Sequence, residues 1–287
     1  MKLRSLLAAA LLSAACAGTL ILASVMRPAA GASADEAPGA AAGPSSDASS
    51  DASAQSGHAY PAASPKGRYG ELNRLPDWGG IWYLDFPPPP GARRERPELK
   101  GKYLADYDQW QKQVKATNGN VPHYSSYCQP PGMPGIMGVG QYPIEFLFTP
   151  GRVTVHFEAW MQWRNIFTDG RKHPDADDID PTFYGNSIGH WQGGTLVIDT
   201  IGFKTVTSLG MGMQHSDQMH TIERIHLLKN DSNKLVDELT VEDPQALAKP
   251  WHATYTYHRS RTQNLLEFVC EENNRNPVNA QGQTELQ

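Results

Sequence analysis

Between Ile144 and Arg259 the apolar residues of this chain tend to fall on alternate positions. Ile144, Phe146 and Phe148 recur two apart, Thr149-Pro150-Gly151 turns the chain, and Val153, Val155 and Phe157 alternate with Arg152, Thr154, His156 and Glu158. Successive side chains of a strand point to opposite faces, so a period of two marks a half-buried strand, and this pair reads as an antiparallel hairpin. The same pattern predicts strands over 163–168, 184–191, 195–203, 219–228, 234–242, 251–259 and 265–271, besides one at Ile81-Trp82-Tyr83-Leu84. Turns rich in Gly, Asp and Asn separate most of them, so neighbours in sequence should be neighbours in the sheet. The fold class predicted is all-β with one outer helix: an antiparallel, lipocalin-like meander barrel or strongly curled sheet.

Elsewhere the period changes. Leu99, Tyr103, Tyr107, Trp110 and Val114 recur at steps of three and four, which predicts a helix from Pro97 to Lys115 that stops before Asn118-Gly119 and packs its aromatic face on the barrel. Pro87 to Pro90 imposes an extended stretch before it. Gly80-Ile81-Trp82 is similar to the first strand of lipocalin-like barrels, where the indole closes one end.

The N-terminus follows another rule. Lys2 and Arg4 precede a nearly unbroken apolar run to Met26, and Ala32-Ser33-Ala34 has the form of a cleavage site, so residues 1–34 read as an export signal. An uncleaved membrane anchor and a lipoprotein site at Cys16 are the rival readings. Residues 35–71 are Ala, Ser, Gly, Asp and Pro with little to bury, which predicts a disordered tether, and 274–287 reads as a flexible tail. The folded domain then spans 72–273, in a periplasmic or secreted protein. Export leaves Cys128 and Cys270 in an oxidising compartment, where an even pair is most simply a disulfide; two metal-bound thiols is the other reading. A net charge of -5 without a long basic block argues against nucleic acid. A membrane partner is expected only if the N-terminal segment is retained or acylated.

Candidate chemistry is densest in His215-Ser216-Asp217-Gln218-Met219-His220-Thr221-Ile222-Glu223-Arg224, where two imidazoles, two carboxylates, a hydroxyl and a guanidinium enter a strand from a glycine-bearing loop. Alternation puts His220, Ile222, Arg224 and His226 on one face of that strand and Met219, Thr221, Glu223 and Ile225 on the other. We place His220 and Arg224 toward the cavity, His215 at its mouth, and Glu223 against a cation of a neighbouring strand. Asp169 and Arg164 join the catalytic and binding candidates, with His173, Ser216 and Tyr184 as ligand contacts. Each has a plainer reading: His220 as a satisfied structural histidine, Asp169 as a turn residue before Gly170, and Arg164 and Arg224 as cross-strand ion-pair partners.

Several phrases carry a resemblance. Tyr127-Cys128-Gln129-Pro130-Pro131-Gly132-Met133-Pro134, Asp169-Gly170-Arg171-Lys172-His173-Pro174, Tyr184 to Trp191, Thr195 to Phe203, His215 to Arg224, Val241-Glu242-Asp243-Pro244 and Lys249-Pro250-Trp251 resemble a widespread group of exported bacterial proteins of unknown function with a lipocalin-like strand pattern. The resemblance covers about Pro76 to Glu272 and implies a fold rather than an activity. Where that group usually reads Trp-Glu-Gly-Asp-Thr, this chain has Trp191-Gln192-Gly193-Gly194-Thr195, without the two carboxylates.

Two functions fit. The first is an exported enzyme, a lyase, isomerase or hydrolase, that holds a modest, partly apolar organic molecule in a barrel cavity while a histidine moves a proton. In a metal-assisted variant His173, His215 and His220 hold zinc or another divalent ion; otherwise no cofactor is implied. The second is a periplasmic barrel that binds a small molecule or lipid without chemistry.

Overall fold

The alternating pattern closes on itself. A computed structural model describes residues 65–90, 92, 95–121 and 128–270. Its strands are β1 (Ile81–Leu84), β2 (Ile144–Thr149), β3 (Arg152–Phe157), β4 (Gln162–Phe167), β5 (Asn186–Gln192), β6 (Thr195–Ile201), β7 (Ser208–Gly210), β8 (Met213–Gln214), β9 (His220–Leu228), β10 (Asp231–Glu242) and β11 (Trp251–Ser260). All but β7 and β8 form one closed barrel in the order β1-β11-β10-β9-β6-β5-β4-β3-β2, with β1 bonded to both β11 and β2. The fold class is thus the all-β barrel that the alternation predicts. The inward positions carry the core, among them Trp82, Phe146, Val153, Val155, Ile166, Leu196, Ile198, Ile225, Leu235, Leu239 and Tyr257.

Three features depart from a plain meander. β4 and β5 pair in parallel, through Ile166↔Ser187 and Phe167↔Ile188 only, because the long connection 168–185 carries the chain back before β5 begins. The small β7–β8 hairpin, outside the barrel sheet, lies between β6 and β9, which pair with each other. The stretch 265–271, expected as a last strand, has no regular structure over Leu265–Val269. Its Leu266 N–H donates to Glu158, Phe268 packs on Tyr142 and Trp160, and the disulfide at Cys270 tethers it. Contacts with side chains replace a strand ladder there.

β1–β2 is paired as briefly as β4–β5, through Ile81↔Glu145 and Trp82↔Ile144. The barrel therefore consists of a three-stranded leaf, β2-β3-β4, joined along two short seams to a six-stranded frame. Within the leaf and the frame, pairing runs over longer registers, such as the eight pairs from Lys234↔His258 to Val241↔Trp251.

The single long helix, α2 (Gly101–Ala116), begins later than the sequence suggests because Leu99 is taken up in a bridge to Leu247. Its aromatic stripe meets the β7–β8 hairpin: a Cβ on Gly212 would lie 2.5 Å from the Trp110 indole, and the φ of +79° there also requires glycine. Trp82 is fully buried, its indole N–H donates to Trp78 O, and Arg259 lies over its ring. Residues 65–71, which composition assigns to the tether, lie on the β2–β3 turn and include a helical turn, α1 (Tyr69–Leu72). Gly67 and Gly151 touch there without room for a Cβ on either. The signal, most of the tether and the tail from 271 onward lie outside the described residues.

Cys128 and Cys270 are bonded, with 5.6 Å between their Cα atoms. Such bonds persist in oxidising compartments. No helix of the described residues is long and apolar enough to cross a membrane.

Candidate functional site

The strand phase of β9 decides where its charged residues go. Met219, Thr221, Glu223 and Ile225 are buried and face the lumen, whereas His220, Ile222, Arg224 and His226 face outward. This inverts the expected placement of His220 and Arg224. An inward Glu223 is tolerated because Arg164 of β4 reaches it from across the barrel, with Nη1 2.9 Å from Oε1 and Nη2 2.5 Å from Oε2, and neither side chain is more than 1% exposed. The same guanidinium donates to Thr200 Oγ1 (2.8 Å) and Ser187 Oγ (3.0 Å), which are themselves 2.9 Å apart. Its remaining N–H is directed at Met133 Sδ, 3.7 Å away. Every proton of the guanidinium is engaged, as a buried charge requires. Arg164 therefore has no free edge with which to clamp a ligand carboxylate, and Glu223 is a structural partner rather than an exposed acid.

Asp237 of β10 shares that interior. It is fully buried, and neither carboxyl oxygen has a hydrogen-bond partner. Burial, then the nearby Glu223, push its pKa well above the ordinary carboxylate value. Its signal was legible: an acid in the inward phase of Leu235, Leu239 and Val241.

His215 also leaves the expected site. It is buried; its Nδ1 donates to Ser216 O (2.7 Å) and its Nε2 accepts from the Thr207 hydroxyl (2.7 Å). Burial lowers its pKa, which suits a neutral ring. Ser216 donates from its N–H and its hydroxyl to the two oxygens of Asp243, 2.7 Å each, and Asp243 also caps Gln245 and Ala246. These residues form a clamp between loops. Asp169 is likewise held, by Arg171 at 2.7 and 2.9 Å and by Lys66 N–H, and its pKa falls to about 2, chiefly through Arg171. Tyr184 stacks on Phe157; its hydroxyl is buried without a partner, and burial raises its pKa. Arg224 is exposed and, among the described residues, reaches only Gln192 Oε1, at 3.3 Å.

What the fold does bring together is His173 and His220. Asp199 of β6 faces outward between them: its Oδ1 lies 2.9 Å from His173 Nε2 and its Oδ2 3.1 Å from His220 Nε2. The second nitrogen of His173 meets the Asn186 side-chain oxygen at 2.8 Å, and that of His220 faces Glu242 at 3.4 Å. Two half-buried isoleucines, Ile188 of β5 and Ile222 of β9, stand directly opposite Asp199 on its two sides. Asp199, Asn186 and Glu242 were not among the sequence candidates. Asp199 and His220 could have been found from phase alone, since both lie on the polar side of adjoining strands; the approach of His173 from a loop had no such signal.

The metal triad His173, His215 and His220 does not assemble, because His215 is locked in its own clamp. Among the described residues no group of three or more His, Cys, Asp or Glu is placed to hold a metal ion.

Fold and site together define a class, an all-β barrel whose polar chemistry lies on the outer wall and whose lumen is closed around a buried ion pair. A comparison with protein-family models finds no match to this chain, and none of the curated proteins is significantly similar to it.

Proposed function

We propose that this chain is an exported enzyme that carries out histidine-centred acid–base chemistry on a modest, partly apolar organic molecule lying against the outer wall of the barrel. The observation that carries the reading is the single Asp199 carboxylate shared by two imidazoles from segments 47 positions apart, His173 and His220. An acceptor at His220 Nε2 fixes the tautomer that leaves Nδ1 as the base, which is the role an orienting carboxylate plays in hydrolytic triads. Among the described residues, the group facing Nδ1 is Glu242, half exposed and at a long 3.4 Å, so a substrate can take its place. Ile188 and Ile222 supply the apolar contact beside the reacting nitrogen. A proton moved to or from carbon or oxygen in this way serves a lyase, isomerase or hydrolase.

Deuterium uptake tests this whatever the product turns out to be. A panel of enolisable ketones, β-hydroxy acids and small esters, incubated in D2O and followed by proton NMR, should contain members that the wild type labels or converts. His220→Ala should slow that reaction about 100-fold or more, with its urea midpoint close to that of wild type. No conversion above buffer across the panel, or equal rates for wild type and His220→Ala, would sink the reading. Binding without chemistry is favoured by a different observation, the cavity described next.

A further inference from the structure

Residues 65–75 bridge the rim of the barrel, and beneath them lies a cavity of about 380 Å³ between this segment, the β2–β3 turn and the end of β5. That volume is several times what one water occupies in the liquid and falls in the range of small-ligand pockets. Its charged lining is unevenly committed. Asp169 is already taken by Arg171 and by Lys66 N–H, and Glu71 accepts from Arg68 N–H. Arg152 is different: its Nε is buried with no hydrogen-bond partner, although a guanidinium out of water ordinarily finds one. Lys66 adds a second cation to the wall. Leu72, Leu75, Val153 and Trp191 supply the apolar remainder.

We infer that this cavity is a binding site for a small organic monocarboxylate, with the carboxylate on Arg152 and a ring or short aliphatic body against Trp191 and the leucines. Guanidinium and carboxylate match as planar partners, and a partly buried donor left open is satisfied by such a ligand at little cost in reorganisation. An inorganic anion would leave the apolar wall unused, and a neutral aromatic would leave Arg152 as it is. The site lies at the Trp191 end of β5, whereas the His173–Asp199–His220 group adjoins Asn186 at the other end of that strand, so it does not depend on the chemistry proposed above.

Titration calorimetry of the full chain in a low-salt amine buffer tests the site, with benzoate as probe, benzyl alcohol as its neutral counterpart and acetate as its truncated one. Benzoate should bind the wild type at least tenfold more tightly than benzyl alcohol or acetate. Arg152→Met, which keeps the stem and removes the charge, should weaken benzoate at least tenfold. Leu72→Trp keeps Arg152 but fills the cavity, and should abolish binding; circular dichroism and thermal unfolding of both variants confirm that the barrel is intact. No benzoate binding to the wild type, equal affinity in Arg152→Met, or equal affinity for benzyl alcohol would each overturn the assignment. The His220→Ala protein should bind benzoate as the wild type does, which separates failure here from failure of the catalytic reading.

Discussion

The Asp237 carboxyl, fully buried and without a partner, is held protonated by its surroundings, whereas in the unfolded chain it ionises near 3.8. The folded protein then binds a proton that the unfolded chain has released, so the stability this group contributes is full below that value and is lost as the pH rises toward its folded-state pKa. Asp237→Asn cannot ionise in either state and should raise stability at neutral pH by about 1 to 3 kcal/mol, the scale of an unsatisfied buried polar group. Its advantage in urea midpoint over wild type should widen from pH 4 to pH 8; an advantage that is constant or shrinks over that range would contradict a protonated Asp237. His215 works in the opposite sense. Its pKa is lowered from 6.5 by burial, so it contributes stability above 6.5 that is lost as the pH falls below it. Proton NMR of its ring should give a titration midpoint under 6.5, and a midpoint above that value would count against the buried neutral ring.

At the scale of elements, what the sequence conveyed was phase, and what it left out was partnership. Alternation located all nine barrel strands to within a few residues, since burying one face dictates which positions are apolar. It did not reveal that β4 and β5 run parallel, because a parallel seam of two pairs leaves no periodic mark. Nor did it give β7 and β8, which are too short to show a period, and it misread 265–271, where apolar residues pack on Tyr142 and Trp160 instead of in a ladder. For β9 the two faces were separated correctly, but their orientation was not: choosing the lumen side required knowing that Arg164 lay opposite to neutralise Glu223. The disulfide joins two segments that are otherwise irregular and closes a loop of 142 residues. Replacing both cysteines by serine should lower stability by about 2 to 4 kcal/mol, mostly by relaxing the unfolded chain. Matched urea titrations of the oxidised wild type and the double variant measure it, and a change under about 0.5 kcal/mol, the level of an ordinary surface substitution, would show that the cross-link restrains nothing.

The whole molecule is held shut by a contact that lies inside it. Arg164 belongs to the leaf, and Glu223, Thr200 and Ser187 all belong to the frame, so the ion pair spans the lumen between two parts whose sheet pairing is thin at both edges. Removing one partner strands the other charge without water. Arg164→Met should therefore cost about 3 to 5 kcal/mol, while the double variant Arg164→Met, Glu223→Leu should recover most of the loss. A double variant as unstable as the single one would mean that the pair itself, and not the stranded charge, supplies the stability. The two short seams carry a consequence for how the native barrel breathes. Amide hydrogens bonded across Ile166–Ser187 and across Ile81–Glu145 depend on few neighbours, so they should exchange with D2O through a sub-global opening in which β2-β3-β4 swings away as one unit, well before the β9-β10-β11 amides that await complete unfolding. A protein that looks like a sealed cylinder would then behave in exchange as a hinged cover on a rigid trough.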